Sequence, residues 1–253
     1  MKLPISKNHQ DRLVFAKGAL ETIKKRFGPE LMGVAIYGSV AKERDLPFSD
    51  VELLAVLRSG KSDSYHEGIV NGLKCGVKVI SRDKIVEEIS EIDLKWPIRV
   101  GKYLELSVLF DEMGVFDEFK RKFDEVTGQD FRNKVRQIFV EDVYEELCKL
   151  MNTSYVGDDV QKRLLAINLF EFMTMFLGVV NKHYYGSVAT RGVDALALPV
   201  SFPSFQQLGK MILSGDLANA GELPKIAERL MEEILAYLDS LGTSYVLEKF
   251  VIS

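Results

Sequence analysis

Four residues, Gly38, Ser39, Asp50 and Glu52, carry the first chemistry legible in this sequence. The stretch Gly33-Val-Ala-Ile-Tyr-Gly-Ser39 reads as a buried strand running into a Gly-Ser turn. Further on, Ser49-Asp50-Val51-Glu52 opens a second apolar run that continues to Leu57. Side chains two apart on a strand share a face, so Asp50 and Glu52 project together. An ionised Glu52 inside a run buried on both sides is costly without a cationic partner. Mg²⁺ fits that need, since it takes hard oxygen ligands and shares its shell with substrate phosphates. The turn adds a glycine that lets backbone approach a ligand, a hydroxyl at Ser39, and N–H groups at a helix start that favour anions. Each half has a plainer reading: Gly-Ser marks many ordinary turns, and a carboxylate pair also occurs on a solvent-facing strand edge.

The elements that must hold these residues follow from periodicity. Leu13, Val14, Leu20, Ile23 and Phe27 recur at helical spacing before Gly28. Strands are expected at about 32–37, 51–58 and 73–80, and Ser81 can cap a helix through Ile85, Ile89 and Ile92. Trp96-Pro97 reads as a break, Leu106 to Phe110 as a fourth strand, and Phe116, Phe119 and Phe123 as one helical face. Beyond Thr127-Gly128 only helices are expected, over 130–151, 159–182, 204–214 and 222–241. The predicted organisation is an α/β domain over 1–127 and a helical domain over 128–253.

With these motifs in hand, the sequence resembles the kanamycin nucleotidyltransferase family, the aminoglycoside 4′-nucleotidyltransferase type of the DNA polymerase β-like nucleotidyltransferase superfamily. The resemblance runs nearly end to end. It is carried by Gly33 to Ser39, Pro47-Phe-Ser-Asp-Val-Glu52, His66-Glu67, Trp96-Pro97 with Gly101, Val140-Glu-Asp-Val-Tyr-Glu145 with Lys149, and Leu213-Ser-Gly-Asp-Leu217. It implies a mixed-sheet nucleotidyltransferase domain followed by an all-helical domain, in a homodimer with shared active sites. It also implies roles: Asp50 and Glu52 as ligands of Mg²⁺, Gly38 and Ser39 against phosphate, and Lys149 against the triphosphate of a nucleoside triphosphate, most simply ATP. Glu145 becomes the general base, reaching in from the second subunit, and Glu67 with His66 lies near the acceptor. By spacing alone, Glu145 and Lys149 form a favourable i, i+4 surface pair; only the resemblance gives them a function. One position departs from the pattern, since Gly76 stands where the family carries a third carboxylate.

Composition narrows the partners. The 253 residues are 47% hydrophobic and 28% charged, with a net charge of −4. No overall positive field would attract nucleic acid or an anionic membrane. The basic runs at Lys24-Lys25-Arg26 and Lys120-Arg121-Lys122 adjoin acids, as solvated helix faces do. Cys75 and Cys148 show no metal-ligand spacing and no disulfide framework. The N-terminus lacks a signal-peptide core. The most apolar stretch, Leu164 to Val180, is interrupted by Asn168 and Glu171, and it is shorter than the ~20 residues of a bilayer span. A cytoplasmic protein with a small-molecule acceptor is expected. The alternative is a non-catalytic nucleotide-binding or interaction protein that retained the scaffold.

Overall fold

The computed structural model describes residues 4–58 and 63–242. The chain divides into two compact units, Met1–Glu91 with Ile98–Val126, and Ile92–Pro97 with Thr127–Ser253.

The first unit is built on a five-stranded mixed sheet. Helix α1 (His9–Phe27) starts at a capping box between Asn8 and Asp11 and ends at Gly28. Strand β1 (Leu31–Tyr37) runs directly into a single-turn helix α2 (Gly38–Ala41), and β2 (Val51–Leu57) follows the next loop. Then come β3 (Ser64–Val70), β4 (Leu73–Ser81), helix α3 (Arg82–Ser90), helix α4 (Trp96–Leu104), whose first two residues fall in the second unit, strand β5 (Ser107–Asp111) and helix α5 (Val115–Glu125). The sheet order is β3-β4-β2-β1-β5. The β2–β4 pair is parallel and the other pairs are antiparallel. Val51, Leu53, Ala55 and Leu57 alternate onto one face and pack with Ala16, Leu20 and Ile23 of α1. The other face begins with Glu52 and continues with Leu54 and Val56.

Two details depart from the pattern read in the sequence. Trp96-Pro97 starts α4 rather than merely breaking the chain, because proline's missing N–H costs nothing in a first turn. Strand β3 carries no sequence signal, since almost all of its residues are exposed and no apolar alternation marks it.

The second unit contains no strand among its described residues. Helix α6 (Gly128–Ile138) is capped by Thr127 and passes through a π-helical segment, Phe139–Val143, into α7 (Tyr144–Asn152). The single helix expected over 130–151 is thus interrupted. The wider turn keeps both Phe139 and Val143 buried, in phase with Val135 and Leu147. Helix α8 (Asp159–Val180) is followed by α9 (Arg191–Leu196), α10 (Pro203–Ser214) and α11 (Leu223–Ser240). By length and composition α8 could cross a membrane, but half of its most apolar window is buried. Two polar residues within that window are also partnered: Asn168 donates to Glu146, and Glu171 pairs with Arg191.

Candidate active site

The site is best built from Glu52 outward. Glu52 is the register partner of Tyr37 on β1 and of Gly76 on β4, and Gly76 in turn pairs with Glu67 on β3. One row across the sheet therefore reads Tyr37, Glu52, Gly76, Glu67, all on one face. Asp50 joins that face from the residue pair before, where Lys74 Nζ stands 3.9 Å from Asp50 Oδ2 and 3.0 Å from Glu67 Oε1.

Gly38 is fixed in this place for two reasons. Its φ of +75° lies in the left-handed region that other residues avoid. A Cβ added there would also stand 2.7 Å from Glu52 Oε2. The Gly-Ser turn and the Glu52 carboxylate are thus in contact, although they lie far apart in sequence. Ser39 follows within α2, and its carbonyl accepts from the Lys42 and Arg44 N–H groups.

Burial and the neighbouring Asp50 charge hold the Glu52 carboxyl above its usual range, against the Tyr37 hydroxyl and Lys74, which favour its ionised form. A cation between Asp50 and Glu52 would relieve both unfavourable effects. Among the described residues no group of three or more His, Cys, Asp or Glu side chains could hold a metal by itself. Two carboxylates completed by substrate oxygens and water is a normal Mg²⁺ arrangement. The donor set therefore fits that ion, and substrate oxygens and water would complete its shell.

Of the candidates near the acceptor, Glu67 shares the face of Glu52 and His66 does not. His66 pairs with Val77, on the opposite face of β3, where it is exposed and contacts Ser64 Oγ at 3.1 Å. Alternation along the strand corrects the expectation that both line one pocket. Gly76 has a structural explanation of its own. The Tyr65 hydroxyl lies where a Cβ at Gly76 would project, and the Tyr37 hydroxyl hydrogen-bonds with both Tyr65 and Glu52. The place of a third carboxylate is thus taken by a phenol.

Glu145 and Lys149 lie on α7 in the second unit. The stretch 113–244 that includes them matches the family described as KNTase C-terminal domain, which is more than half of the 253 residues. The chain belongs to the KNTase (kanamycin nucleotidyltransferase) family. Two relatives named aminoglycoside nucleotidyltransferase (4′), from Staphylococcus aureus and Bacillus sp, are each 22% identical over 245 residues, 96% of this chain and 96% of the relative. The solved nucleotidyltransferase-like protein from Exiguobacterium sibiricum 255-15 matches with a TM-score of 0.56 at 13% identity. It covers 89% of this chain and 78% of its own. That likeness shows the fold; membership of the family places the chain among the nucleotidyltransferase enzymes.

In this KNTase-family chain, Lys149 Nζ lies 3.0 Å from Glu145 and 2.7 Å from Glu146. Both carboxylates push the ammonium above its ordinary value. Glu146 is buried and also accepts from Asn168, whereas Glu145 is largely exposed. The Glu145 carboxylate is therefore available to a ligand, while Glu146 anchors the lysine.

Sequence reasoning missed one supporting network. Arg12, fully buried, donates through Nε to Ser49 O at 3.0 Å, through Nη2 to Leu46 O at 2.7 Å, and through Nη1 to Lys7 O and Asp45 Oδ2, both at 2.9 Å. Asp45 also contacts His9 Nδ1 at 2.6 Å. This clamp holds the loop that delivers Asp50. Its signal was present, because Arg12 stands at helical spacing with the buried Ala16, Leu20 and Ile23.

Proposed function

We propose that this chain is an Mg²⁺-dependent nucleotidyltransferase that moves a nucleoside monophosphate, AMP from ATP, onto a hydroxyl of a small polar acceptor. The supporting observation is the contact of the Gly38–Ser39 turn with a carboxylate that shares its sheet face with Asp50. The relatives' name supplies aminoglycosides as the first acceptors to test.

Bound Mg²⁺ would neutralise charge on the attacking and leaving oxygens around the α-phosphorus. Asp50 and Glu52 hold that charge in place, and Gly38 lets backbone N–H groups approach the phosphates. Ser39 donates its hydroxyl to a phosphate oxygen, and Lys149 balances triphosphate charge. Glu145 accepts the proton of the acceptor hydroxyl as that oxygen attacks and pyrophosphate leaves. In a homodimer, Glu145 serves the site of the partner subunit. Val160, Leu164 and Ile167 form an exposed apolar stripe on α8 that favours such an interface. The absence of a basic stripe favours a small acceptor over nucleic acid, and a cytoplasmic enzyme fits the free cysteines.

A second reading, a nucleotide-binding scaffold without turnover, draws on the missing side chain at Gly76. Calorimetry of ATP, GTP and CTP with Mg²⁺, on the native chain and Asp50→Asn, separates the two from an empty site. Metal-dependent binding lost in the variant supports the nucleotide site, and turnover with an acceptor then supports the enzyme. No binding to the native chain refutes both.

A further inference from the structure

The row Tyr37, Glu52, Gly76, Glu67 contains one bare position, and a side chain from the next row fills it. Tyr65 shares the site face, two residues before Glu67, and its register partner on β4 is Lys78. Lys78 does not hold it there. Its Nζ lies 3.0 Å from the Tyr103 hydroxyl, and it shares the Glu88 carboxylate with Lys102. The Tyr65 hydroxyl instead lies over Gly76, within hydrogen-bonding reach of the Tyr37 hydroxyl. In the order β3-β4-β2-β1 these two tyrosines start three strand spacings apart, roughly 14 Å. Two phenols laid towards each other cover that distance, provided that nothing rises between them from β4. A Cβ at Gly76 would meet the Tyr65 hydroxyl and stand 2.9 Å from its Cζ. The bare position is a passage for the phenol.

The direction of the hydrogen bonds follows from the protons available. An ionised Glu52 only accepts, so the Tyr37 hydroxyl donates to it. Tyr37 then has no second proton, and its oxygen accepts from Tyr65. Burial, then the charge of Glu52, holds the Tyr37 phenol well above its ordinary range, so it remains a donor. Hydrogen bonds in such a chain strengthen one another in a partly dry place. The chain ends on the carboxylate whose Oε2 also faces Gly38. Lys74, a cation on the same face, is engaged by Glu67 at 3.0 Å and stands 3.9 Å from Asp50. Tyr37 is thus the neutral donor that sets the attitude of Glu52.

Mg²⁺ demands near-octahedral oxygen geometry, and the groups that hydrogen-bond to its ligands fix how those ligands are presented. We propose that Tyr37 and Tyr65 are positioning residues for the metal carboxylate: Tyr65 orients Tyr37, and Tyr37 holds Glu52 in the attitude that a divalent ion requires, along a path that Gly76 leaves open. Gly76 then serves the site by carrying no side chain, and the phenol above it supports the carboxylate pair from β3.

This role rests on the metal reading of Asp50 and Glu52 proposed above, and the test separates the two. The non-hydrolysable ATP analogue AMPCPP is titrated calorimetrically into the full chain in EDTA and in saturating Mg²⁺. The ratio of the two affinities measures what the metal adds. Tyr37→Phe should reduce that metal-dependent gain by about ten- to a hundredfold, the usual loss when a metal ligand's hydrogen-bond partner is removed. Tyr65→Phe acts through Tyr37 and should reduce it by about two- to tenfold, the scale of one neutral hydrogen bond. Gly76→Ala should match Tyr65→Phe, and the two together should cost no more than either alone. Affinity in EDTA should stay native throughout. Urea unfolding checks each variant, and Tyr65→Phe with Gly76→Ala carries the test if Tyr37→Phe does not fold. An undiminished gain in the variants, or equal weakening with and without metal, overturns the proposal. So does a Gly76→Ala loss that adds in full to that of Tyr65→Phe. A native chain that binds AMPCPP no better with Mg²⁺ refutes the metal reading itself, and the positioning role with it.

Discussion

Replacing Gly38 by Ala tests the junction between the Gly-Ser turn and the carboxylate pair. At φ +75° an alanine costs about 1–2 kcal/mol of backbone energy. Its Cβ would meet Glu52 Oε2 at 2.7 Å, where ordinary contact begins at 3.4 Å, so the carboxylate must retreat by about 0.7 Å. Glu52 is a flexible end and can move, so the collision falls on its position rather than on stability. Displacements near 1 Å cost on the order of 10²-fold in catalysis, and turnover should fall by roughly 10- to 100-fold. Gly114→Ala is the matched control. Its φ is +69° and a Cβ there meets nothing within 4 Å, so it carries the same backbone cost without touching the site. Urea unfolding should show similar losses of stability for both variants, with nucleotide transfer impaired only in Gly38→Ala. Equal turnover in the two variants would show that the Glu52 position near Gly38 has no part in the chemistry.

Two further outcomes are expected. Arg12→Ala should destabilise the first unit by about 3–5 kcal/mol, since it takes the guanidinium from the buried Asp45 carboxylate, which keeps its His9 contact, and strips the donors from the Lys7 carbonyl and from the Leu46 and Ser49 carbonyls of the loop before Asp50. A loss below 1 kcal/mol in denaturant unfolding would contradict the clamp. Glu145→Gln should slow the chemical step by roughly 10²–10⁴-fold while nucleotide binding persists. Single-turnover rates matching the native chain would return Glu145 to a helix-surface partner of Lys149.

Much of the frame was legible because it depends on local pattern. Leu53 to Leu57 and Leu31 to Ile36 are near-continuous apolar runs, and only a strand covered on both faces uses such runs. The two-residue spacing of Asp50 and Glu52 places both carboxylates on one face whatever surrounds them. Ser81 caps its helix, accepting from the Lys84 N–H, as its position before an apolar period implied. The family motifs were readable for the same reason, being short and close in sequence.

What escaped the sequence was decided by partners distant along the chain. Strand β3 exists because β4 offers it an edge, and its exposed residues carry no periodicity to announce it. The π segment answers to two buried side chains, Phe139 and Val143, whose positions depend on the packing of the helical unit. Glu67 and His66 are neighbours in sequence, yet pleating sends them to opposite faces. Gly76, bare in the sequence, is covered by the Tyr65 phenol from the neighbouring strand. Nothing in the sequence singles out Lys78 and Lys102, and only the approach of α3 and α4 brings them to one glutamate. Sequence by itself determined the family, the sheet's central strands and the carboxylate pair, because neighbouring residues on a regular backbone set these. Tertiary structure alone decided which groups Arg12 clamps, the phenol over Gly76 and the lysine pair. Each depends on the dielectric and charge that another element imposes from across the fold.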